Sequence, residues 1–269
     1  MNTQQVSYID LAFTDVVIAA MLILVNGAIS LLLQLKLERR LLIASVRTLI
    51  QLTMIGYVLQ WIFQANRWDF MLALMLCMTT TAGISAVRRT KRRYPGVWLN
   101  SFVSVLVSSW LITAIALTAI IKAETWYSPQ YSIPLLGMIL GNTLNGISLG
   151  LDRLTAELSE KRALVEMRLT LGATRWEACR DPMCDAVRTG MVPIVNSMMV
   201  VGLVSFPGMM TGQMLAGALP MGAVRYQIVI MFLIASGTAL GTVGVLLLSY
   251  RQLFNSDHQF LYQRIRRVE

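Results

Sequence analysis

The chain has 269 residues, of which 56% are hydrophobic and only 14% are charged, and its mean hydropathy is +0.62. Soluble domains typically carry about 25% charged residues, so this composition excludes an ordinary soluble enzyme or binding domain and favours a membrane protein. The net charge of +9 suits contact with either anionic lipid or nucleic acid, and the distribution of the charges decides between the two.

Seven apolar runs are long enough to cross a hydrocarbon core, which takes about 20 helical residues. The sequence lacks the alternation of apolar and polar residues that would indicate a β-barrel. We therefore predict an all-α integral membrane protein in which residues 1–269 form a single transmembrane domain. The predicted spans cover approximately residues 11–35, 42–63, 69–87, 97–121, 131–151, 186–206 and 222–250.

All but four of the 23 Lys and Arg residues fall on one set of connections between these spans or in the C-terminal tail. By the positive-inside rule this side is cytoplasmic, which places the N-terminus outside and the C-terminus in the cytoplasm. The basic block RRTKRR at 88–93 lies beside two spans. We interpret it as a topology signal that contacts anionic lipid, and we expect no nucleic acid among the partners.

The second span carries a cation, Arg47, one turn inside its cytoplasmic boundary, and Gln51 follows on the same helical face. Two interpretations stay open. Arg47 can extend to the lipid headgroups, or the pair can face the bundle interior and hold a neighbouring helix or a substrate oxygen.

The fifth span contains a stripe of small and polar residues, Gly137, Gly141, Asn145 and Ser148, with Asn142 beside it. Small residues at this spacing permit close helix packing. Alternatively, Asn142 and Asn145 line a path, since two amides on one span need polar partners.

A polar segment, residues 153–185, separates the fifth span from the sixth, and we predict that it forms a cytoplasmic elbow between short helices. Gly172 stands where a glycine would end the first, amphipathic helix. Thr174 and Glu177 have the spacing of a capping box, so a second short helix begins at once. Asp181 and Pro182 then suit the N-cap and first turn of the next span.

The stretch after the sixth span requires a break. A straight helix over 186–219 would be about 50 Å long, well beyond the roughly 30 Å core, so we expect Pro207-Gly208 to interrupt it. Broken helices are tolerated where they line a cavity, so this stretch is the strongest candidate for a transport path. The complete set of candidate path residues is Arg47, Gln51, Asn142, Asn145, Asn196, Ser205, Pro207, Met209, Met210 and Gln213.

Five methionines, Met198, Met199, Met209, Met210 and Met214, cluster around this break. Flexible packing at a moving interface explains them, and soft ligation of a metal such as Cu(I) is the alternative. The sequence leaves any metal ligands unknown. In the seventh span Gly237, Gly241 and Gly244 predict tight helix packing, within the chain or across a dimer axis.

Motifs of enzymes do not occur in the sequence. There is no GxxxxGK[ST] loop, nucleophile elbow, His-based metal motif or paired-carboxylate site, so we expect no catalytic residues and no ATP site on this chain. The lone His258 lies in the tail and is not expected to be a ligand. Cys77, Cys179 and Cys184 form no CxxC pair, so neither a disulfide framework nor a zinc site is predicted.

The elbow resembles the coupling segment of ABC-transporter permeases, in which a glycine follows a glutamate by six positions, as Gly172 follows Glu166. Met167 and Arg168 stand where that motif has two small residues, and its closing Ile-x-Leu-Pro is missing. The resemblance implies an ATPase-coupling site formed by Glu166, Gly172, Ala173, Thr174, Arg175 and Glu177.

From about residue 35 to 260 the chain resembles the FetB family of ABC permeases. The resemblance rests on SVRTLIQLTMIGYVL (45–59), GMILGNTLNG (137–146), LTLGAT (169–174) and the long stretch GLVSFPGMMTGQMLAGALPMGAVRYQIVIMF (202–232). It implies a homodimer in the bacterial inner membrane that assembles with two copies of a separate ATPase, which would hold ATP and Mg²⁺. It also implies iron export that protects against oxidative stress.

Two alternatives to iron export remain. The plant aluminium-tolerance branch of the family is linked to a nucleotide sugar, so the cargo could be an organic anion. An ATP-independent secondary transporter would need an internal repeat and an ion-coupling carboxylate or His within the membrane, and the sequence shows neither.

Overall fold

The computed structural model describes residues 12–65, 67–122 and 128–267, and this part of the chain is almost entirely helical. The helices are α1 (Phe13–Leu32), α2 (Glu38–Ala65), α3 (Trp68–Arg88), α4 (Val97–Ile115), α5 (Pro129–Glu160), α6 (Arg162–Thr170), α7 (Arg175–Val200), α8 (Gly208–Leu215) and α9 (Pro220–Leu253). A π-helical turn, Ala116–Ile120, continues α4, and a 3-10 turn covers Tyr262–Arg264. Two short antiparallel strands, β1 (Arg92–Arg93) and β2 (Arg266–Arg267), pair with each other.

The chain divides into two compact units. One comprises Met1–Arg67 with Gln213–Ala218, and the other comprises Trp68–Gly212 with Leu219–Glu269. The first unit contains α1 and α2, while α3 to α7 and α9 belong to the second. The prediction of an all-helical membrane protein is therefore confirmed for the described residues.

Within the first unit, polar bonds close the turn between α1 and α2. The buried hydroxyl of Ser30 donates to Glu38 Oε2 over 2.9 Å and accepts from the Leu37 N–H over 3.0 Å. Both bonds pair groups that would otherwise remain unsatisfied at a helix end, so they hold the start of α2 against the end of α1.

The second unit is built around α5, which contacts α3, α4, α7 and α9. At its tightest point, a Cβ added to Gly190 of α7 would lie 2.7 Å from the carbonyl oxygen of Gly146 on α5. A Cβ added to Gly146 would lie 2.6 Å from the hydroxyl of Thr242 on α9. Only glycine fits at either position without a shift of its neighbours, so three helices approach closely at one level of the bundle.

The glycine stripe of α9 packs inside the same chain. The carbonyl of Gly241 accepts a 2.7 Å hydrogen bond from Ser104 Oγ on α4, and a Cβ on Gly244 would lie 2.7 Å from that hydroxyl. A Cβ on Gly237 would lie 2.7 Å from the side chain of Ile139 on α5. The predicted tight packing is confirmed, and its partners are α4 and α5 of this chain.

Six of the described helices are long and apolar enough to cross a membrane, and they match six of the seven predicted spans. The remaining span, predicted at 186–206, has the wrong bounds because α7 ends at Val200. The last charged residue of α7 is Arg188. The twelve residues that follow it, up to Val200, extend only about 18 Å along the helix axis, which is less than the hydrocarbon thickness. The six helices cover Thr14–Leu32, Glu38–Ala65, Trp68–Arg88, Val97–Ile120, Pro129–Glu160 and Pro220–Leu253.

The prediction that a new helix begins at Asp181 and Pro182 is wrong. Both residues lie inside α7, which runs unbroken for 26 residues. An internal proline costs about 3 kcal/mol. A buried methionine contributes roughly 1.5–3 kcal/mol and smaller apolar side chains less, so several of them together offset that cost. The face of α7 that contains Pro182 buries Ala178, Cys179, Met183 and Ala186.

The predicted break after the sixth span is confirmed. Residues 201–207 separate α7 from α8 and are not helical. Gly202 has a φ of +81°, and its N–H donates to the Ser205 carbonyl over 2.9 Å. The break begins right after Val200, ahead of Pro207-Gly208, because the tight turn at Gly202 already redirects the chain.

The contact between Gly190 and Gly146 predicts that two glycine-to-alanine substitutions have different effects on thermal stability. Gly190→Ala places a methyl group against a backbone carbonyl, and overpacking of this kind should cost about 1–3 kcal/mol and lower the Tm by several degrees. Gly141→Ala, on the facing helix α5, is the control because no atom lies within 4 Å of the added carbon. Thermal unfolding in detergent tests this, and equal Tm values for both variants would contradict it.

Candidate functional site: the elbow and the polar face of α5

The predicted bounds of the elbow, 153–185, are too wide, because α5 continues to Glu160 and α7 runs on to Val200. From here the elbow is residues 162–177, which join α6 to α7 through a turn fixed by one glycine. Gly172 has a φ of +93°, and its N–H donates to the Leu169 carbonyl over 3.1 Å. The next N–H, that of Ala173, donates to the Arg168 carbonyl over 3.0 Å. These two bonds form a Schellman motif, in which a left-handed residue ends the helix. Gly172 therefore ends α6 as predicted, and Ala173 contributes through its backbone.

The predicted capping box starts α7. The Thr174 N–H donates to Glu177 Oε2 over 2.7 Å, and the Glu177 N–H donates to Thr174 Oγ1 over 3.3 Å. The Thr174 hydroxyl also donates to the same carboxylate over 2.8 Å. The backbone bond, followed by the hydroxyl bond, lowers the pKa of Glu177 from its ordinary value. The carboxylate therefore stabilises the cap at neutral pH, and this contribution is lost as the pH falls through the lowered pKa.

Two ion pairs add to the elbow. Glu166 pairs with Arg162 over 2.6 Å within α6, and Arg168 pairs with Asp181 of α7 over 2.8 Å. Exposed pairs of this kind typically contribute less than about 1 kcal/mol. The Schellman turn and the capping box therefore determine the shape of the elbow, while the Arg168 pair tethers its two helices.

Arg175, predicted to contact an ATPase, already has partners within the chain. Its guanidinium donates to the Asn255 carbonyl over 2.9 Å and lies 5.8 Å from the centre of the Tyr250 ring. Its N–H donates to His258 Nδ1 over 2.9 Å. The structure therefore connects Arg175 to the C-terminal tail.

One face of α6 presents apolar side chains to the outside. Leu164 and Met167 of α6, and Leu171 directly after it, recur at helical spacing and are 40%, 51% and 78% exposed. On the opposite face, Val165 is buried. A short helix on a rigid turn thus carries an apolar stripe that no described part of the chain covers.

The predicted path residues of α5 lie on one half-buried face of that helix. Arg89, which directly follows α3, donates to Asn145 Oδ1 over 2.5 Å. The Asn142 amide donates to the Met138 carbonyl of its own helix over 3.0 Å. Asn145 lies about 9 Å along the helix from residue 151, the predicted cytoplasmic boundary of this span. Because it bonds to Asn145, the Arg89 guanidinium places a positive charge on the polar face of α5.

The candidate residues around the break have different surroundings. Asn196 on α7 and Ser205 in the break are exposed. The Pro207 carbonyl accepts from the Thr211 N–H at the start of α8 over 3.1 Å. Met209 packs against a buried apolar cluster that includes Leu117, and Met210 is buried. Packing is thus the role the structure gives to these two methionines.

Three candidate path residues belong to the first compact unit. Arg47 and Gln51 are both exposed on α2, four residues apart on the same face. Gln213 is half-buried near the end of α8. Two pairs of candidate path residues therefore share a helix face: Arg47 and Gln51 are exposed on α2, and Asn142 and Asn145 are half-buried on α5.

Metal-ligating side chains do not cluster in residues 12–65, 67–122 and 128–267. No group of three or more His, Cys, Asp or Glu residues in these ranges could hold a metal ion. Cys77, Cys179 and Cys184 are free thiols, and burial raises the pKa of Cys179 to about 12. That thiol therefore stays protonated at neutral pH and is a poor metal ligand.

Sequence reasoning missed two sets of residues. Arg89 belongs to a block that signals topology, and its hydrogen bond spans 56 residues of sequence. Asn255 and His258 occur in a polar tail that has no motif. His258 adopts a left-handed conformation with a φ of 58°, which the sequence does not reveal.

Comparison with known proteins identifies the relatives of the chain. The model of a family described as "Uncharacterised protein family (UPF0014)" matches residues 13–254. The "UPF0014 membrane protein slr1647" of Synechocystis is 42% identical over 94% of this chain and 98% of its own length. No solved structure matches the chain.

Two further relatives carry more specific names. The "Probable iron export permease protein FetB" of Escherichia coli is 32% identical over 99% of this chain and its own full length. The "Protein ALUMINUM SENSITIVE 3" of Arabidopsis thaliana is 28% identical over 90% of this chain and 87% of its own length. The predicted relationship to the FetB family is confirmed.

The capping box predicts a local effect of Thr174→Ala. Loss of the cap should raise the hydrogen-exchange rate of the Glu177 amide roughly fivefold, as expected for about 1 kcal/mol of N-cap stabilisation. Thr170→Ala is the control, because the Thr170 hydroxyl donates to the Met167 carbonyl and caps no N–H. Exchange measured by mass spectrometry on the purified chain checks this, and unchanged rates in Thr174→Ala would refute the cap.

Proposed function

Because the chain belongs to the UPF0014 family, we propose that it is the membrane-spanning subunit of an ABC transporter that exports iron. In this proposal a separate ATPase binds ATP and Mg²⁺ and supplies the energy, while this chain holds no cofactor. Two copies of the chain and two copies of the ATPase form the transporter in the bacterial inner membrane. Iron efflux of this kind would protect the cell against oxidative stress.

The observation that carries the proposal is the apolar stripe on the elbow. Leu164, Met167 and Leu171 are exposed on a short helix whose end is fixed by the Gly172 turn. Apolar side chains on a rigid polar segment favour burial by a partner, because the turn is already ordered and little entropy is lost on binding. A soluble ATPase with a complementary groove is the partner that this arrangement suits.

The arrangement of the second unit supports the proposed topology. Strand β2 at the C-terminus pairs with β1 between α3 and α4, and the tail binds the start of α7 through His258. The end of α9 therefore lies on the same side as the elbow, and its start lies at the other end. The apolar part of α7 is only about 18 Å long, so we propose that α7 and the break at 201–207 together cross between these two ends. The chain would then cross seven times, with the elbow in the basic, cytoplasmic region.

In the proposed cycle, ATP binding closes the two ATPase subunits and draws the paired elbows together. The elbows tilt α5 and α7, which meet at Gly146 and Gly190. The break at 201–207 then lets the outer half of the bundle open while the inner half closes.

Iron as the cargo rests on the name of the Escherichia coli relative and on the chemistry of export. The described residues contain no cluster of three carboxylate, imidazole or thiolate ligands, so tight binding of Fe²⁺ is not built into them. An exporter needs a site that releases its ion, and the Asn142 amide oxygen, with that of Asn145 once Arg89 has moved away, would offer weak oxygen ligands.

An organic anion is a second candidate cargo because of one contact. The Arg89 guanidinium beside Asn145 would attract an anion to the polar face of α5 and repel a free Fe²⁺ ion. A nucleotide sugar is a cargo of this class, and its phosphates suit an arginine.

Association with the ATPase tests the transporter proposal. We expect Leu171→Asp and Met167→Asp to weaken binding of the cognate nucleotide-binding subunit by more than about tenfold, since a charge replaces a buried apolar contact. Thr170→Asp is the matched control, with the same charge to one side of the stripe. Affinity is measured between the chain in nanodiscs and the soluble subunit, and absence of binding by the wild-type chain would overturn the proposal.

Cargo is tested by ATPase stimulation in the same nanodiscs, with Fe²⁺, Cu⁺ and UDP-glucose added in turn. If iron is the cargo, Fe²⁺ alone should stimulate hydrolysis, and Arg89→Gln should keep or raise that response. If UDP-glucose stimulates hydrolysis and Arg89→Gln abolishes that stimulation, the cargo is an organic anion instead. Arg88→Gln, at the neighbouring exposed arginine, controls for the loss of one positive charge.

A further inference from the structure

The C-terminal tail, residues 254–264, folds into a compact loop at the end of α9. Phe254 and Phe260 form an isolated antiparallel bridge, and their rings stack with centroids 5.1 Å apart. Inside the loop, Asn255 Oδ1 accepts from the Gln259 N–H over 2.7 Å, and its amide donates to Gln259 Oε1 over 3.0 Å. Phe254 is buried, so the loop is anchored as well as closed.

This loop supplies the N-terminus of α7 with a second cap. The capping box satisfies the Glu177 N–H, and His258 Nδ1 accepts from the Arg175 N–H over 2.9 Å. Acceptance through Nδ1 requires the ring to carry its proton on Nε2. The Asn255 carbonyl accepts from the Arg175 guanidinium over 2.9 Å, so the same loop holds both the backbone and the side chain of Arg175.

A chain of aromatic contacts extends from α7 to α6 by way of the tail. Neighbouring rings in it have centroids 5.1–6.2 Å apart, within the range of favourable aromatic pairs. At its far end the Arg162 guanidinium, at the start of α6, lies 4.4 Å from the centre of the Tyr262 ring. The rings in order are Trp176, Tyr250, Phe254, Phe260 and Tyr262.

We propose that the tail is a brace that couples the elbow to α9. The elbow continues directly into α5 and α7, but it has no covalent connection to α9, and the tail holds both of its helices against the end of α9. This inference rests on the proposed function, since it states how a displacement of the elbow reaches a third spanning helix. Arg175 and His258 are positioning residues in this brace, and a partner protein need not contact either of them.

The experiment uses a matched pair of substitutions at His258. Its φ of 58° strains most residues but suits both glycine and asparagine. His258→Gly keeps the loop conformation and removes the acceptor, whereas His258→Asn keeps the conformation and offers an amide oxygen in its place. We expect the Arg175 amide to exchange roughly threefold to tenfold faster in His258→Gly, as expected for one lost hydrogen bond, and to recover in His258→Asn.

The brace itself is tested in the complex with the nucleotide-binding subunit in nanodiscs, with and without ATP and vanadate. In the wild-type complex, trapping the ATPase with ATP and vanadate should change the rates of amide exchange in the elbow and at the cytoplasmic end of α9, residues 245–253. In His258→Gly the elbow should still respond and the response at the end of α9 should be smaller, because the direct contact of Trp176 with Tyr250 remains. His258→Asn should restore the full α9 response.

The possible results separate the two proposals. An α9 response in His258→Gly equal to that of the wild type overturns the brace and leaves the proposed function intact. A wild-type chain that binds no nucleotide-binding subunit overturns the proposed function, and the brace with it. A reduced α9 response in His258→Gly with normal complex formation supports both.

Discussion

Contact between helix backbones at Gly146 and Gly190 is the constraint on which the bundle depends. Lipid tails are as apolar as leucine, so membrane helices associate through close packing and buried hydrogen bonds. Here α5 and α7 approach until a single methyl group would collide with a carbonyl, and Thr242 of α9 fills the remaining space. The helices that meet at this point are also the two that continue into the elbow.

Positive charge is concentrated at the end of the bundle where the elbow and tail lie, and the structure has to accommodate it. In the strand pair Arg92 lies opposite Arg267 and Arg93 opposite Arg266, an arrangement that is unfavourable for like charges. Glu160, at the end of α5, pairs with Arg92 over 3.2 Å, and Arg93 lies 5.3 Å from the centre of the Trp98 ring. The α5 helix thus supplies the counter-charge for the strand that receives the C-terminus.

Local signals explain what could be predicted from the sequence. The turn at Gly172 and the box of Thr174 and Glu177 depend on residues three to six positions apart, so spacing alone identifies them. The continuity of α7 through Pro182 depends on burial against other helices, and tertiary packing overrides the local stop signal. The contacts of Arg89 with Asn145 and of Arg175 with His258 join distant parts of the chain, and no periodicity encodes them.

The unbroken α7 helix has a mechanical consequence. Its 26 residues, with Pro182 and Pro193 inside it, span about 39 Å from the elbow to the break after Val200. If the helix moves as one body, a tilt of about 5° at the elbow would shift its far end by about 3 Å, roughly the diameter of a water molecule. Small rotations at one end are thereby converted into displacements large enough to admit or exclude solvent at the other.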